Sequence, residues 1–178
     1  MPDLPVFTHV QQAHNRITPY IHRTPVLSSS GINEIAGSQI FFKCENFQKA
    51  GAFKYRGATN AILSLSEADC NRGVATHSSG NHAAALALAA ARKGIKCYVV
   101  MPSNAPRPKI EAVQYYGARI TFCEPTLKAR EDTLREVMEA TGAVMVHPYD
   151  NFNVICGQAT AAKELLEDQP MLDALLAP

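Results

Sequence analysis

The feature that most constrains this fold is a regular alternation of strand-like and helix-like segments between residues 73 and 146. Short runs rich in β-branched residues alternate with longer segments whose apolar residues recur at helical spacing. The pattern predicts strands at 73–77, 96–101, 119–123 and 143–146, and helices at 83–93, 107–116 and 127–141. Strands joined by helices of this length need crossover connections, which predicts an open parallel sheet of the α/β class. Ligands bind such sheets at the carboxyl ends of the strands.

Outside this region the pattern is less regular. Apolar spacing predicts a helix at 8–18 with Thr8 as its N-cap. Further predicted elements are extended chain at 24–27, a strand at 40–44, a helix after Gly57, a helix at 155–167 and the start of a strand at 173–177. A chain of 178 residues, 47% of them hydrophobic, is long enough for one domain or two small ones.

Charge and cysteine content argue against several functions. Lys and Arg number 17 and Asp and Glu 16, so the net charge is +1 and neither nucleic acid nor a membrane surface is expected as a partner. The five cysteines are widely spaced and form no C-x-x-C pair, which argues against a disulfide framework or a zinc site. The N-terminal residues lack the apolar core of a signal peptide and the longest apolar run is too short to span a bilayer, so we expect a cytoplasmic protein.

Lys54 lies in a segment suited to covalent chemistry. Three small residues at 50–52 lead to it, and Phe53 and Tyr55 flank it. Aromatic neighbours can remove water from an ammonium group, which lowers its pKa and favours the nucleophilic free amine. The alternative is a lysine that is solvated at the surface, as most lysines are.

Two polar segments follow predicted strands. Residues 76–82 (Thr-His-Ser-Ser-Gly-Asn-His) lie between a strand and a helix, where free backbone N–H groups and the helix dipole bind anions. The alternative is simple N-capping by Ser79 or Asn81. Residues 148–151 follow the fourth predicted strand, so they too lie at a carboxyl end of the sheet. The alternative is that they form a simple turn. Three histidines also lie near these strand ends, but their spacing does not predict a metal site.

Together these segments resemble a known family. The runs at 41–49, 51–58 and 76–82, with 24–27, 147–150 and 155–158, resemble the serine racemase and serine/threonine dehydratase family. These are pyridoxal-phosphate enzymes of fold type II. The resemblance implies a small α/β domain at 51–150, with residues 1–50 and 151–178 contributing the N-terminal and middle parts of an incomplete large domain.

The resemblance also implies a role for each matching residue. Lys54 would attach the cofactor, Phe53 would flank its pocket, and Asn81 would hydrogen-bond its ring hydroxyl. The loop that holds the substrate carboxylate would consist of Ser78, Ser79, Gly80, Asn81 and His82.

Ser79 bears on the type of reaction. Racemisation needs an acid/base group on each face of a planar carbanion, and in racemising members Lys54 and Ser79 would occupy the two faces, whereas many pure dehydratases have alanine in place of this serine. The implied activity is racemisation or α,β-elimination of L-serine or L-threonine-type substrates, the latter giving a 2-oxo acid and ammonia. The balance between the two, and the preferred substrate, stay open.

Other properties of the family are expected outside this sequence. The glycine-rich phosphate loop and the ligands of a divalent cation such as Mg²⁺ are expected beyond residue 178, and the family implies a homodimer. Residues matching the ATP contacts of animal racemases are Ser29, Ser30, Lys49 and Tyr116. Other positions of that site differ, at Gln11, Ala50 and Ala84, so ATP binding is doubtful.

Two alternatives stay open. The chain could be a catalytically inactive truncated fragment that acts as a binding or structural module. Cysteine synthases share the fold type, but their lysine motif has an Asn/Pro/Thr-rich approach rather than the Gln-Lys-Ala-Gly found at 48–51.

Overall fold

The structure is a computed structural model that describes residues 4–177, and it contains both predicted kinds of element. The helices are α1 (Phe7–Ile17), α2 (Ser30–Ala36), α3 (Lys54–Leu63), α4 (Glu67–Arg72), α5 (Asn81–Lys93), α6 (Arg107–Tyr115), α7 (Leu127–Thr141) and α8 (Phe152–Asp168). The strands are β1 (Val26–Ser28), β2 (Phe41–Lys43), β3 (Val74–His77), β4 (Cys97–Pro102), β5 (Arg119–Cys123) and β6 (Val144–Met145). Short 3₁₀ turns cover Thr18–Tyr20, Glu45–Phe47 and Lys49–Gly51.

Four strands form the predicted parallel sheet. Their order is β5-β4-β3-β6, and every neighbouring pair is parallel, which confirms the α/β prediction. The chain moves outward from β3 to β5 and then crosses back, so that β6 lies on the other side of β3. A reversal of this kind opens a crevice at the carboxyl ends of the strands. A separate antiparallel pair joins β1 and β2.

Close helix packing depends on small residues. Helix α5 is largely alanine, and its buried alanines include Ala83, Ala85 and Ala90, each with no exposed surface. Helices α3 and α8 meet at Gly57 and Gly157. A Cβ at Gly57 would lie 2.7 Å from the Val154 carbonyl oxygen, and one at Gly157 would lie 2.7 Å from that of Arg56. The two backbones therefore touch, which fixes the start of α3 relative to α8.

A buried network of charges joins the same helices to β2. Arg56 has no exposed surface and donates to both Glu164 oxygens at 2.8 and 2.9 Å. It also donates to both Glu45 oxygens, each at 2.8 Å. Lys43 Nζ lies 2.7 Å from Glu164 Oε2. Two cations thus face two carboxylates, as buried charges require.

Several predicted boundaries are wrong. Helix α3 begins at Lys54 rather than after Gly57, since the paired Arg56 is drawn into its first turn. Helix α1 begins at Phe7 with Val6, not Thr8, as N-cap, and the Val6 N–H donates to His9 Nδ1.

The predicted strand at 173–177 is also absent. These residues have no regular structure, and 175–177 line a cavity instead of pairing with a sheet edge. Helix α8 begins three residues earlier than predicted, at Phe152, because the Asn151 side chain accepts from the Val154 N–H and caps it. The short helices α2 and α4 were not predicted.

Candidate functional site

The polar segments that follow β3 and β6 meet beside Lys54. Lys54 is the first residue of α3, and its Nζ donates to the Pro148 carbonyl oxygen at 3.0 Å. Pro148 follows β6, and the segment at 78–82 connects β3 to α5. The reversal of strand order thus brings together three stretches that are far apart in sequence. The turn at 148–151 thus includes a long-range contact, from the Pro148 carbonyl to Lys54.

The environment of Lys54 is partly dry. Burial lowers the pKa of its ammonium group, and its side chain is half-buried. The Phe53 ring centroid lies 5.1 Å from Lys54 Nζ, whereas Tyr55 is directed into the core with 1% of its surface exposed. Lys54 is therefore partly desolvated, with Phe53 as its aromatic neighbour, rather than fully solvated at the surface.

The turn before Lys54 is held tightly. Ala50 has a φ of +59°, a left-handed conformation that costs a non-glycine residue roughly 1–2 kcal/mol. Gln48 secures the turn with two hydrogen bonds to the backbone of His22, donated from His22 N–H at 2.9 Å and accepted by its carbonyl at 2.7 Å. Lys49 Nζ donates to the Tyr20 carbonyl at 2.6 Å. These bonds offset the strain and fix where α3 begins.

The loop at 78–82 leads into α5 without a side-chain cap. The N-cap of α5 is Gly80, which makes no side-chain capping bond, so the alternative of capping by Ser79 or Asn81 is wrong. The first N–H groups of a helix have no partner within it and favour an anion. Ser78, Ser79 and Gly80 are partly exposed, so a small ligand can reach them. The Asn81 amide oxygen accepts from Lys109 Nζ at 2.6 Å.

His82 differs from the rest of this loop, because its side chain lies in the core. It is 2% exposed, and a ring nitrogen, Nε2, lies 3.2 Å from the Val146 carbonyl oxygen. Burial lowers its pKa to about 4, so the ring is neutral near pH 7. Only the backbone N–H of His82 can therefore contribute to an anion site at the start of α5.

Other polar side chains surround the crevice. The His77 and His147 rings lie 5.8 Å apart, and His147 and Tyr149 lie 4.4 Å apart. Burial, and then the neighbouring His147, lower the pKa of His77. Among residues 4–177, no three His, Cys, Asp or Glu side chains lie close enough to hold a metal ion.

Arg130 was not identified from the sequence. It lies in the first turn of α7, and its charge contributes to the lowered pKa of His77. Its Nε is buried and has no hydrogen-bond partner in the described part of the chain. A cation in the first turn after a strand lies at the carboxyl edge of a parallel sheet, and that position was the available signal.

An apolar cavity lies elsewhere, against α8. Its volume is about 520 Å³, and its lining includes Phe53, residues of β2 and α8, and the tail at 175–177. Neither Lys54 nor any residue of 78–82 contributes to it. Separately, no helix in the described range is both long and apolar enough to cross a membrane.

Fold and site together define a class of protein. It is an α/β protein with a parallel sheet whose strand order reverses beside β3, and a half-buried lysine contacts the segment that follows β6. Residues 17–178 match the family described as "Pyridoxal-phosphate dependent enzyme". The chain belongs to this family.

Similar proteins are known by sequence and by structure. Serine racemase of Oryza sativa subsp. indica is 52% identical over 169 residues, which cover 95% of this chain and 50% of the relative. The beta-hydroxyaspartate dehydratase of Paracoccus denitrificans is 53% identical over 175 residues, covering 98% and 56% respectively. Maize serine racemase has a solved structure with a TM-score of 0.91 at 49% identity, covering 93% of this chain and 50% of that one. This likeness confirms the predicted fold, and the chain spans about half the length of these relatives.

Proposed function

We propose that this chain provides the lysine-bearing half of a pyridoxal-phosphate enzyme acting on small L-amino acids of the serine and threonine type. The reaction is racemisation, α,β-elimination to a 2-oxo acid and ammonia, or both. The observation that carries the proposal is the Lys54 amine, half-buried with a lowered pKa and held 3.0 Å from the Pro148 carbonyl oxygen. The names of similar proteins, a serine racemase and a beta-hydroxyaspartate dehydratase, support both reactions.

The residues around the crevice fit the cofactor. Lys54 would bind it covalently, which requires a free amine, and burial already shifts the amine toward that form. Phe53 would flank it and Asn81 would hydrogen-bond its ring hydroxyl. When bound, pyridoxal phosphate supplies an electron sink that stabilises negative charge at the substrate α-carbon.

The chain's own residues would bind and orient the substrate. The N–H groups at the start of α5 would donate hydrogen bonds to the substrate carboxylate, with the hydroxyls of Ser78 and Ser79 beside it. Lys54 would move the α-proton on one face. Ser79 would hold a proton on the opposite face, which racemisation needs and elimination of the β-hydroxyl does not.

Cofactor binding tests the proposal directly. The purified chain is titrated with pyridoxal phosphate and its visible absorption recorded, beside Lys54→Arg as the matched control that keeps the charge. We expect a visible band that Lys54→Arg lacks, and L-serine is then supplied to measure D-serine and pyruvate. Equal spectra for the two proteins would overturn the proposal for this chain and favour the inactive-fragment alternative.

Ser79→Ala separates the two reactions. We expect this variant to lose D-serine formation by at least about tenfold while pyruvate formation from L-serine is kept, since only racemisation needs the second face. Chiral chromatography and a coupled pyruvate assay measure both products. A parallel loss of both would assign Ser79 to substrate binding instead.

Three further properties are part of this proposal. We propose a homodimer and a divalent cation such as Mg²⁺ for the whole protein. The five cysteines are free, which supports a reducing compartment such as the cytoplasm. ATP binding is not proposed.

A further inference from the structure

His82 connects the start of α5 to the segment that follows β6. Its Nε2 lies 3.2 Å from the Val146 carbonyl oxygen, and its ring is 2% exposed. A carbonyl oxygen only accepts, so Nε2 carries the proton and Nδ1 does not. Nδ1 is buried and has no hydrogen-bond partner among the described residues.

The Val146 carbonyl belongs to a segment that is fixed at several points. The Val146 N–H donates to the Ala75 carbonyl at 2.9 Å, which ties the segment to β3. Two residues further on, the Pro148 carbonyl accepts from Lys54 Nζ. The Asp150 N–H then donates to His147 Nδ1 at 2.8 Å, closing the turn.

We propose that His82 is a positioning residue, which holds the 146–148 segment so that the Pro148 carbonyl faces the Lys54 amine. The inference rests on the proposed function for the importance of Lys54, and on the structure alone for the contacts. It assigns the His82 side chain a role different from substrate binding, and it couples the loop that would bind the carboxylate to the lysine that would move the proton.

A neutral donor suits this position. Lys54, His147 and His77 all act electrostatically on His82, and each lowers its pKa, after burial as the main cause. A positively charged side chain in place of His82 would therefore repel the Lys54 ammonium. A neutral imidazole donates to Val146 and adds no charge.

The test compares variants by nuclear magnetic resonance without cofactor. The pKa of Lys54 is read from its ¹³Cε resonance, assigned by its loss in Lys54→Arg, and exchange is measured at the Tyr149 and Asp150 amides. For His82→Leu we expect exchange at least about tenfold faster and a Lys54 pKa closer to that of a solvated lysine. Leu86→Ala, which truncates a buried side chain on the same helix, is the control for lost stability. We expect it to leave the Lys54 pKa unchanged and to cause no selective increase in exchange at the two amides.

Two outcomes overturn the proposal. One is a His82→Leu variant whose Lys54 pKa and amide exchange match those of Leu86→Ala. The other is a ¹⁵N spectrum of the unmodified protein at pH 7 in which His82 is not in the neutral form protonated at Nε2. This measurement does not depend on whether a variant folds. Neither readout uses turnover, so an inactive chain would overturn the proposed function and leave this inference standing.

Discussion

Arg56 is the residue whose surroundings most restrict substitution. All of its N–H groups face acceptors: Glu45, Glu164, Thr160 and the His22 carbonyl. Burial opposes its charge, but the hydrogen bonds to both carboxylates outweigh burial and raise its pKa. Burial likewise opposes ionisation of Glu164. The hydrogen bonds donated by Arg56 and Lys43 outweigh the effect of burial and lower the pKa of Glu164. Each charge is therefore kept by the other.

We expect Arg56→Lys to reduce the free energy of unfolding by about 3 kcal/mol, because lysine cannot form two bidentate contacts and leaves buried carboxylate oxygens unpaired. Urea denaturation measures the change. Arg135→Lys, at an exposed pair with Asp132, is the control and should change stability by less than about 1 kcal/mol. Equal losses in the two variants would contradict this account.

His82 makes stability depend on pH. The unfolded chain has an ordinary histidine pKa of 6.5, whereas the folded chain has one of about 4. Between these values the unfolded chain binds the proton and the folded chain does not, so acidification favours unfolding. Between pH 7 and pH 5 we expect this residue to lower the free energy of unfolding by about 2 kcal/mol, which urea denaturation measures. His82→Gln should flatten the profile, and an unchanged slope would count against the assignment.

At the scale of elements, the contact between α3 and α8 is the most sensitive. We expect Gly157→Ala to cost about 1–3 kcal/mol, because its Cβ would lie within 2.8 Å of backbone atoms of α3. Displacement of α3 would also raise the Lys54 pKa, which the same ¹³C titration detects. Gly31→Ala in α2 has nothing within 4 Å and should be neutral or stabilising. A Gly157→Ala protein as stable as Gly31→Ala would show that the helices can separate freely.

Elements were predictable where the sequence repeats a pattern over many residues. The limits of α7 follow from its apolar spacing and from the Thr126 side chain, which accepts from the Ala129 N–H. The start of α3 was not predictable in this way, because Arg56 is placed by partners 11 and 108 residues away along the chain. Helix α2 is short and lacks buried residues, so it has no periodic signal to detect.

The candidate site was also predictable only where a local sequence pattern marks its residues. Lys54 and the segment at 78–82 have local signatures, an aromatic neighbour and a strand–loop–helix junction. The Pro148 carbonyl and the inward direction of His82 have none, since a backbone oxygen has no sequence signature and His82 is placed by a contact with Val146, 64 residues away along the chain.

At the scale of the whole molecule, the apolar cavity against α8 is large enough to admit a small apolar molecule. Its lining includes Ile155, Leu165 and Leu175. We expect the chain to bind an apolar fluorescent dye there, and Ile155→Asp to reduce the fluorescence at least about twofold. Tyr115→Asp, at a residue 86% exposed on α6, is the control and should leave it unchanged. Equal signals from the two variants would place the dye elsewhere.

The contact between Lys54 and Pro148 also bears on the timing of folding. The two residues are 94 positions apart, and Pro148 reaches its place only when β6 has joined the sheet beside β3. An intermediate with β3, β4 and β5 paired but β6 unpaired would have a lysine that is solvated and chemically ordinary. The reactivity of one amine would thus report, during refolding, the moment at which β6 pairs with β3.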